Sequence, residues 1–203
     1  MTMRERVDVA ARVARLQDEY LNDTSHAVAS LARLRRGVAA PPGADLELIG
    51  LTTANLYPED ERLPDEPTDA EHAVYTAICL FALHQQSHRS ERMHRPGFGF
   101  GRSARILATR SGTEDAVRRR FTALGTATTW EEAVHHARGL VQQFRAFDVP
   151  LDYGRFARDL LGLRSPRGAA RVRNAWGRDF YRTSEARDES TAPDAETSTA
   201  DND

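Results

Sequence analysis

Apolar residues recur every three or four positions through most of the chain, which is the period of an amphipathic α-helix. Over residues 4–21 this spacing puts Val9, Val13, Leu16 and Tyr20 on one face. No segment alternates apolar and polar residues as a half-buried strand does. The pattern therefore predicts an all-α fold, with further helices over residues 24–38, 45–54 and 69–87 and from Ser103, Ser111, Thr129, Asp152 and Pro166.

Residues 69–87, DAEHAVYTAICLFALHQQS, are apolar nearly all round. A helix without a polar face is buried by several neighbours, so we expect this one at the centre of the fold. The stretch before it, YPEDERLPDEP, is acidic and rich in proline, which is typical of a loop. Cys79 lies inside the apolar run and is interpreted as a small buried core residue rather than a reactive thiol.

Several helix starts are marked by residues that favour them. Ser111 with Glu114 has the spacing of a capping box, Asp152 is placed as an N-cap, and Pro166 suits the first turn of the last helix. A capping side chain accepts hydrogen bonds from backbone N–H groups that the first helical turn leaves without partners.

The stretch GFGFG, residues 97–101, interrupts the helical pattern. Its glycines permit backbone angles closed to other residues. Phe98 and Phe100 are predicted to pack a joint between two helical units, in preference to stacking on bases. The predicted organisation is an N-terminal helical bundle over residues 1–95, a basic C-terminal bundle over residues 96–182, and a disordered acidic tail over residues 183–203.

Charge is distributed unevenly, although the formal net charge is only −2. Residues 1–87 contain eight arginines and fourteen acidic residues, residues 88–182 contain nineteen arginines and nine acidic residues, and residues 183–203 contain one arginine and seven acidic residues. Every basic residue is arginine, which excludes any mechanism that needs a lysine. Taken as a whole, the positive segment favours a polyanionic partner.

No motif indicates catalysis or a cofactor. GFGFG lacks the spacing of a dinucleotide loop and the lysine of a Walker loop, and no G-x-S-x-G elbow frames a serine. His84 and His88 have a metal-compatible spacing, but no third ligand is obvious beyond Glu91 or His94. We therefore expect no enzyme, no cofactor, no metal site and no small-molecule substrate.

No apolar run approaches the roughly 20 residues of a membrane span, and the first residues lack the apolar core of a signal peptide. The single cysteine excludes a disulfide framework within the chain. We therefore expect a cytoplasmic protein with no membrane partner.

Arginines cluster on the exposed sides of the predicted C-terminal helices. At 100° per residue, the last helix has Ala169, Val172, Trp176 and Phe180 on one face and arginines on the opposite face. A guanidinium donates two parallel hydrogen bonds to phosphate. For any single arginine, a solvated position or a local ion pair such as Arg155 with Asp159 is the better interpretation. As a set, the predicted nucleic-acid-binding residues are Arg95, Arg102, Arg105, Arg118, Arg119, Arg120, Arg167, Arg171 and Arg178.

Four stretches carry a recognisable pattern: HRPGFGFGRSARILA, EDAVRRRFTALGTATTWEEAVHHARGLVQQFR, LDYGRFARDLLGL and RVRNAWGRDFY. Together they resemble the CasB family, the small subunit of the type I-E CRISPR Cascade complex. The order of motifs in the last two stretches is unusual and carries most of the specificity. The similarity runs from about Asp69 to Tyr181, the N-terminal helices fit more loosely, and the acidic tail lies outside the family pattern.

The resemblance implies an all-helical, non-catalytic protein of two bundles that pairs with a second copy of itself. Its partners would be the other Cascade subunits with guide RNA and target DNA. Its role would be to stabilise the R-loop by holding the displaced strand and the guide–target backbone. The heteroduplex formed is about as stable as the DNA duplex lost, so protein contacts to the backbone tip the exchange.

An alternative function is a helical adaptor whose arginine-rich face binds an acidic protein partner. In that case the arginines would meet carboxylates rather than phosphates, including those of the chain's own tail. With a charge of −6, residues 183–203 are also a hypothetical competitor of DNA for the basic face.

Overall fold

The computed structural model describes residues 8–182, and within this range the chain forms helices and no strand. The helices are α1 Val9–Leu21, α2 Ser25–Gly37, α3 Leu46–Thr52, α4 Asp69–Gln85, α5 Phe100–Ser111, α6 Glu114–Thr126, α7 Trp130–Ala146, α8 Tyr153–Leu163 and α9 Pro166–Phe180. The predicted all-α fold is confirmed. The predicted acidic tail, residues 183–203, lies outside the described residues.

Helix starts in the second half follow the sequence signals for α7, α8 and α9, but not for α5 and α6. The side chain of Asp152 caps α8, and Pro166 lies in the first turn of α9. The predicted capping box at Ser111 is wrong, because Ser111 belongs to the end of α5 and α6 begins after Thr113. Gly112 ends α5 with a φ of 64°, a left-handed conformation that glycine adopts without strain.

α4 is the central helix, as its apolar sequence predicts. All its side chains from Ala73 to Gln85 are buried, and α1, α2, α3, α7 and α8 pack against it. Cys79 is completely buried in this helix, and burial raises the pKa of its thiol to about 12. The interpretation of Cys79 as a core residue is therefore confirmed. Within residues 8–182, no helix is both long enough and apolar enough to cross a membrane.

A cluster of aromatic rings joins the helices of the second half. Phe100 is completely buried, and its ring centroid lies 4.8 Å from that of Trp176 and 5.0 Å from that of Phe156. Phe121 of α6 stacks on Phe180 of α9 at 4.7 Å. Because these rings come from α5, α6, α8 and α9, their stacking fixes the positions of the four helices relative to one another.

The stretch GFGFG leads directly into α5, which begins at Phe100 rather than at Ser103. A Cβ on Gly101 would lie 2.1 Å from the carbonyl oxygen of Trp176, so the crossing of α5 and α9 requires a glycine there. Phe100 is buried in the core, whereas Phe98 is only half-buried, and their predicted role at a joint between two units stays a prediction. One hydrophobic cluster contains side chains from both sides of residue 95, and the division into two bundles at that residue stays a prediction.

Two buried glutamines hold the loop between α4 and α5. Gln85 donates hydrogen bonds to the carbonyl oxygens of His88 and Glu91, both at 2.8 Å, and accepts a third from a backbone N–H. Gln17 of α1 accepts the backbone N–H of His94 at 2.7 Å and donates to its carbonyl oxygen. The two side-chain amides thus form hydrogen bonds with backbone groups of the loop that no helix or strand satisfies.

Candidate nucleic-acid interface

The outward face of α9 is a stripe of arginines. Arg167, Arg171 and Arg178 are exposed, whereas the opposite face of the helix is buried, which confirms the predicted division of faces. We call these three residues the α9 stripe. No group within residues 8–182 forms an ion pair or a hydrogen bond with any of the three guanidinium groups. All three are therefore available to an external anion.

Two polar contacts beneath the stripe fix α9 on α8. The indole Nε1 of Trp176 donates to Asp159 at 2.7 Å, and Arg155 donates to Asp179 at 2.9 Å. The predicted pair of Arg155 with Asp159 is wrong, because Asp159 turns to the indole and burial raises the pKa of its carboxyl. The carboxylate of Asp179 pairs with Arg155 and not with its chain neighbour Arg178. Arg178 therefore has no partner among the described residues.

α6 carries three consecutive arginines, and all three are exposed. Arg118 forms an ion pair with Asp115 at 2.5 Å, one turn earlier on the same helix. Arg119 and Arg120 have no such partner within residues 8–182. The stacked phenylalanines between α6 and α9 keep these arginines on a helix that neighbours the α9 stripe.

The three predicted arginines in and before α5 differ in their contacts within the chain. Arg95 is exposed, and no described residue contacts its guanidinium. Arg102 lies over the ring of Phe98 at 4.3 Å and donates to a backbone carbonyl. Arg105 is half-buried and donates to the carbonyl oxygen of Arg182 at 2.7 Å. Arg102 and Arg105 therefore already have contacts within the chain, whereas Arg95 has none with the part of the chain described.

Other arginines of the second half bind within the chain. Arg92 pairs with Asp18 at 2.5 Å, and Arg89 pairs with Asp23, so both tie the loop before α5 to the α1–α2 region. Arg110 donates to two carbonyl oxygens at the end of α7. The sequence contains no signal that separates these arginines from the unpartnered ones, because their partners lie 37 to 74 positions away.

His84 and His88 serve separate structural contacts. His84 is completely buried, its Nδ1 lies 3.0 Å from the hydroxyl of Tyr153, and burial lowers its pKa to about 3. Nε2 of His88 lies 3.1 Å from the carbonyl oxygen of Arg145. Among the described residues, no three histidine, cysteine, aspartate or glutamate side chains are grouped as a metal ion would require.

The chain is similar to known CRISPR-associated proteins. Residues 30–181 match the family described as CRISPR-associated protein Cse2. CasB from Thermobifida fusca is 39% identical, with a TM-score of 0.73 over 86% of this chain and 96% of that one. TTHB189, a CRISPR-associated protein of the Cse2 family from Thermus thermophilus, is 25% identical, with a TM-score of 0.64 over 85% of this chain and 95% of that one. M. ruber CasB is 24% identical, with a TM-score of 0.58 over 84% and 92%.

No curated protein matches the sequence at a significant level. The family match begins within α2 and ends just after α9, so it includes the central helix and all nine predicted arginines. The resemblance to CasB stated from the sequence is confirmed, and the chain belongs to the CRISPR-associated Cse2 family.

Proposed function

We propose that this protein is the non-catalytic, nucleic-acid-binding small subunit of the type I-E CRISPR Cascade surveillance complex. It stabilises the R-loop through contacts to the displaced strand and to the guide–target backbone. The observation that carries the proposal is the α9 stripe. It presents three exposed guanidinium groups on one face of a firmly packed helix, and no described residue pairs with them.

The position of the stripe supports an external role. Arg167 lies in the first turn of α9, which contains no acidic residue. The positive end of the helix dipole disfavours a cation there. Arg167 therefore does not stabilise the helix that carries it, and a bound anion would remove the unfavourable interaction.

The spacing of the stripe suits a phosphate backbone. The α-carbons of Arg167, Arg171 and Arg178 are separated along the helix axis by about 6 and about 10.5 Å. Successive charges on one strand of a duplex rise by roughly 3.4 Å, so these intervals are about two and three nucleotide steps. Phosphate contacts of this kind fix position and carry no sequence information.

R-loop stabilisation is the task that such contacts serve. In guide-dependent strand exchange the heteroduplex and the lost duplex have similar stability, so a few contacts to the backbone change the outcome. Arg119 and Arg120 on α6 and Arg95 before α5 are further exposed arginines without a partner among the described residues. The complex would also contain the other Cascade subunits, guide RNA, target DNA and a second copy of this chain.

The proposal is tested by assembling the complex with and without this protein. A tagged chain is expected to co-purify with the other Cascade subunits and guide RNA, and its omission is expected to weaken R-loop formation on target DNA. A chain that stays out of the particle would refute the assignment. If the chain enters the particle and omission leaves R-loop formation unchanged, it is an adaptor that binds only protein.

A further inference from the structure

We propose that the acidic segment, residues 183–203, docks on the α9 stripe and competes with nucleic-acid backbone for the same guanidinium groups. This inference rests on the proposed function, because it describes how access to that nucleic-acid surface is regulated. The segment contains seven carboxylates and one arginine. Carboxylate and phosphate are alternative partners for the guanidinium fork, since both accept two parallel hydrogen bonds.

The last described residue before the acidic segment is Arg182, two residues after the end of α9. α9 ends at Phe180, and the carbonyl oxygen of Arg182 accepts a hydrogen bond from Arg105 of α5 at 2.7 Å. This contact fixes the point from which the segment departs, four residues after Arg178. The acidic segment is therefore attached covalently just after the helix that carries the stripe.

The segment is long enough to reach the whole stripe. Going back from Phe180, the last residue of α9, Arg178 lies about 3 Å and Arg167 about 20 Å along the helix axis. An extended chain advances at most about 3.3–3.6 Å per residue. Glu185 therefore reaches as far as Arg178, and Glu189 reaches as far as Arg167. The acidic residues after Glu189 are separated from α9 by a longer stretch of chain and can span the same distance without full extension.

Opposite charge attracts the carboxylates of the acidic segment to the stripe arginines, and their attachment to the same chain raises their local concentration. The three stripe arginines have no partner within residues 8–182, so docking displaces no existing ion pair. A tethered ligand acts at an effective concentration in the millimolar range, so weak contacts to exposed charges are sufficient. Such contacts are screened by salt. The segment is thus a reversible competitor whose strength falls as ionic strength rises.

The test removes four carboxylates from the full chain. Glu185→Gln, Asp188→Asn, Glu189→Gln and Asp194→Asn together give a neutralised-tail variant of unchanged length. If the segment occupies the stripe for about 70–90% of the time, this variant binds target DNA in the assembled complex about 3- to 10-fold more tightly than wild type at low salt. The difference disappears near 0.5 M salt, where the competing contacts are screened.

A matched control removes the same number of carboxylates elsewhere. Glu59→Gln, Asp60→Asn, Asp65→Asn and Glu66→Gln neutralise four exposed acidic residues in the loop before α4. This variant is expected to bind DNA within about 2-fold of wild type. An equal gain in both variants would overturn the docking proposal and assign the effect to net charge alone. No gain in the neutralised-tail variant would overturn it as well.

A measurement without DNA separates this proposal from the proposed function. The Ser190→Cys variant carries two cysteines, and Cys79 is completely buried. A thiol-reactive spin label is therefore expected to react with residue 190 alone. The label is expected to broaden the amide signals of α9 at low salt, and the broadening is expected to disappear in the neutralised-tail variant. Broadening with no effect of stripe substitutions on DNA binding would refute the proposed function while leaving the docking intact. Absence of broadening would refute the docking alone.

Discussion

Two groups of exposed arginines lie in the second half of this protein and differ in what they contact. Arg89 and Arg92, in the loop before α5, bind Asp23 and Asp18 of the α1–α2 region. The arginines of the α9 stripe have no partner among the described residues. Exposure and residue type are the same in both groups, so only the three-dimensional placement of carboxylates distinguishes an arginine that joins elements from one available to a ligand.

Only part of the positive charge of residues 88–182 is available to an external anion. Residues 88–182 carry nineteen arginines against nine acidic residues. Several of these arginines, including Arg110, Arg155 and Arg164, bind carbonyl oxygens or carboxylates within the chain. The surface that can hold a polyanion is therefore smaller than the arginine count indicates, and it is concentrated on α9 and α6.

The largest expected effect on stability is at Phe100, in the aromatic cluster that joins α5 to α8 and α9. Phe100→Ala is expected to lower the free energy of unfolding by about 3–5 kcal/mol, because it leaves a cavity among stacked rings. For a chain of this size the melting temperature falls by roughly 6–20 °C, measured by circular dichroism. Phe147→Ala, at a ring that is 39% exposed, is the control. A loss below about 1 kcal/mol for Phe100→Ala would contradict the packing described.

The loop that carries the paired arginines depends on Gln85 more than on its ion pairs. Gln85→Leu is expected to cost about 2–4 kcal/mol of unfolding free energy, because it removes the partners of three backbone groups. Gln142→Leu is the matched control, since that side chain is exposed. Urea denaturation measures both. Equal stability of the two variants would show that the loop is held by other contacts.

Acidification is expected to lower the stability of the fold while leaving the charge of the arginine interface unchanged. Burial holds the pKa of His84 at about 3 in the folded chain and lowers that of His94 as well, while an unfolded histidine titrates near 6.5. Below that value the unfolded state binds more protons, so stability falls with falling pH by up to about 1.4 kcal/mol per pH unit for each histidine. The loss is confined to the range between about 6.5 and the folded pKa.

The check is the urea midpoint at pH 7 and pH 5. His84→Gln is expected to reduce the dependence on pH, whereas His135→Gln, at an exposed position, is expected to retain it. Stability of the wild type that is unchanged between these pH values would refute the burial of a neutral His84. Guanidinium groups keep their charge throughout this range, so the interface is expected to be unaffected.

The smallest effect on stability is expected at the paired arginines. Arg92→Gln breaks one exposed ion pair, and such pairs contribute about 0–1 kcal/mol. Thermal denaturation of this variant is therefore expected to match wild type within about 4 °C. A much larger loss would show that the contact with Asp18 organises the loop before α5.

Helix positions and helix faces were predictable from the sequence because both follow from local periodicity. The burial of α4 and the opposed faces of α9 are examples. The capping box at Ser111 was not, since Gly112 ends one helix there and the next begins without a side-chain cap. A local signal identifies a helix start only when no stronger neighbouring signal ends the previous helix.

Partners across the fold could not be predicted from the sequence. Arg155 binds Asp179, 24 positions away, rather than Asp159, and the carboxylate of Asp159 binds an indole instead. Gln17 contacts residue 94 across 77 positions. Such pairs depend on how the helices cross, which periodicity does not encode. For the same reason the sequence indicated a set of nine arginines without showing which ones have partners.

The most direct test of the central claim compares the two groups of arginines in the assembled complex. Arg167→Gln, Arg171→Gln and Arg178→Gln together are expected to weaken target-DNA binding roughly 10- to 100-fold and to reduce the salt slope by about 2–3. Arg89→Gln with Arg92→Gln is expected to leave both quantities unchanged. Both variants should keep their melting temperatures within a few degrees of wild type. Equal DNA affinity of the two variants would contradict the assignment of the α9 stripe to nucleic acid.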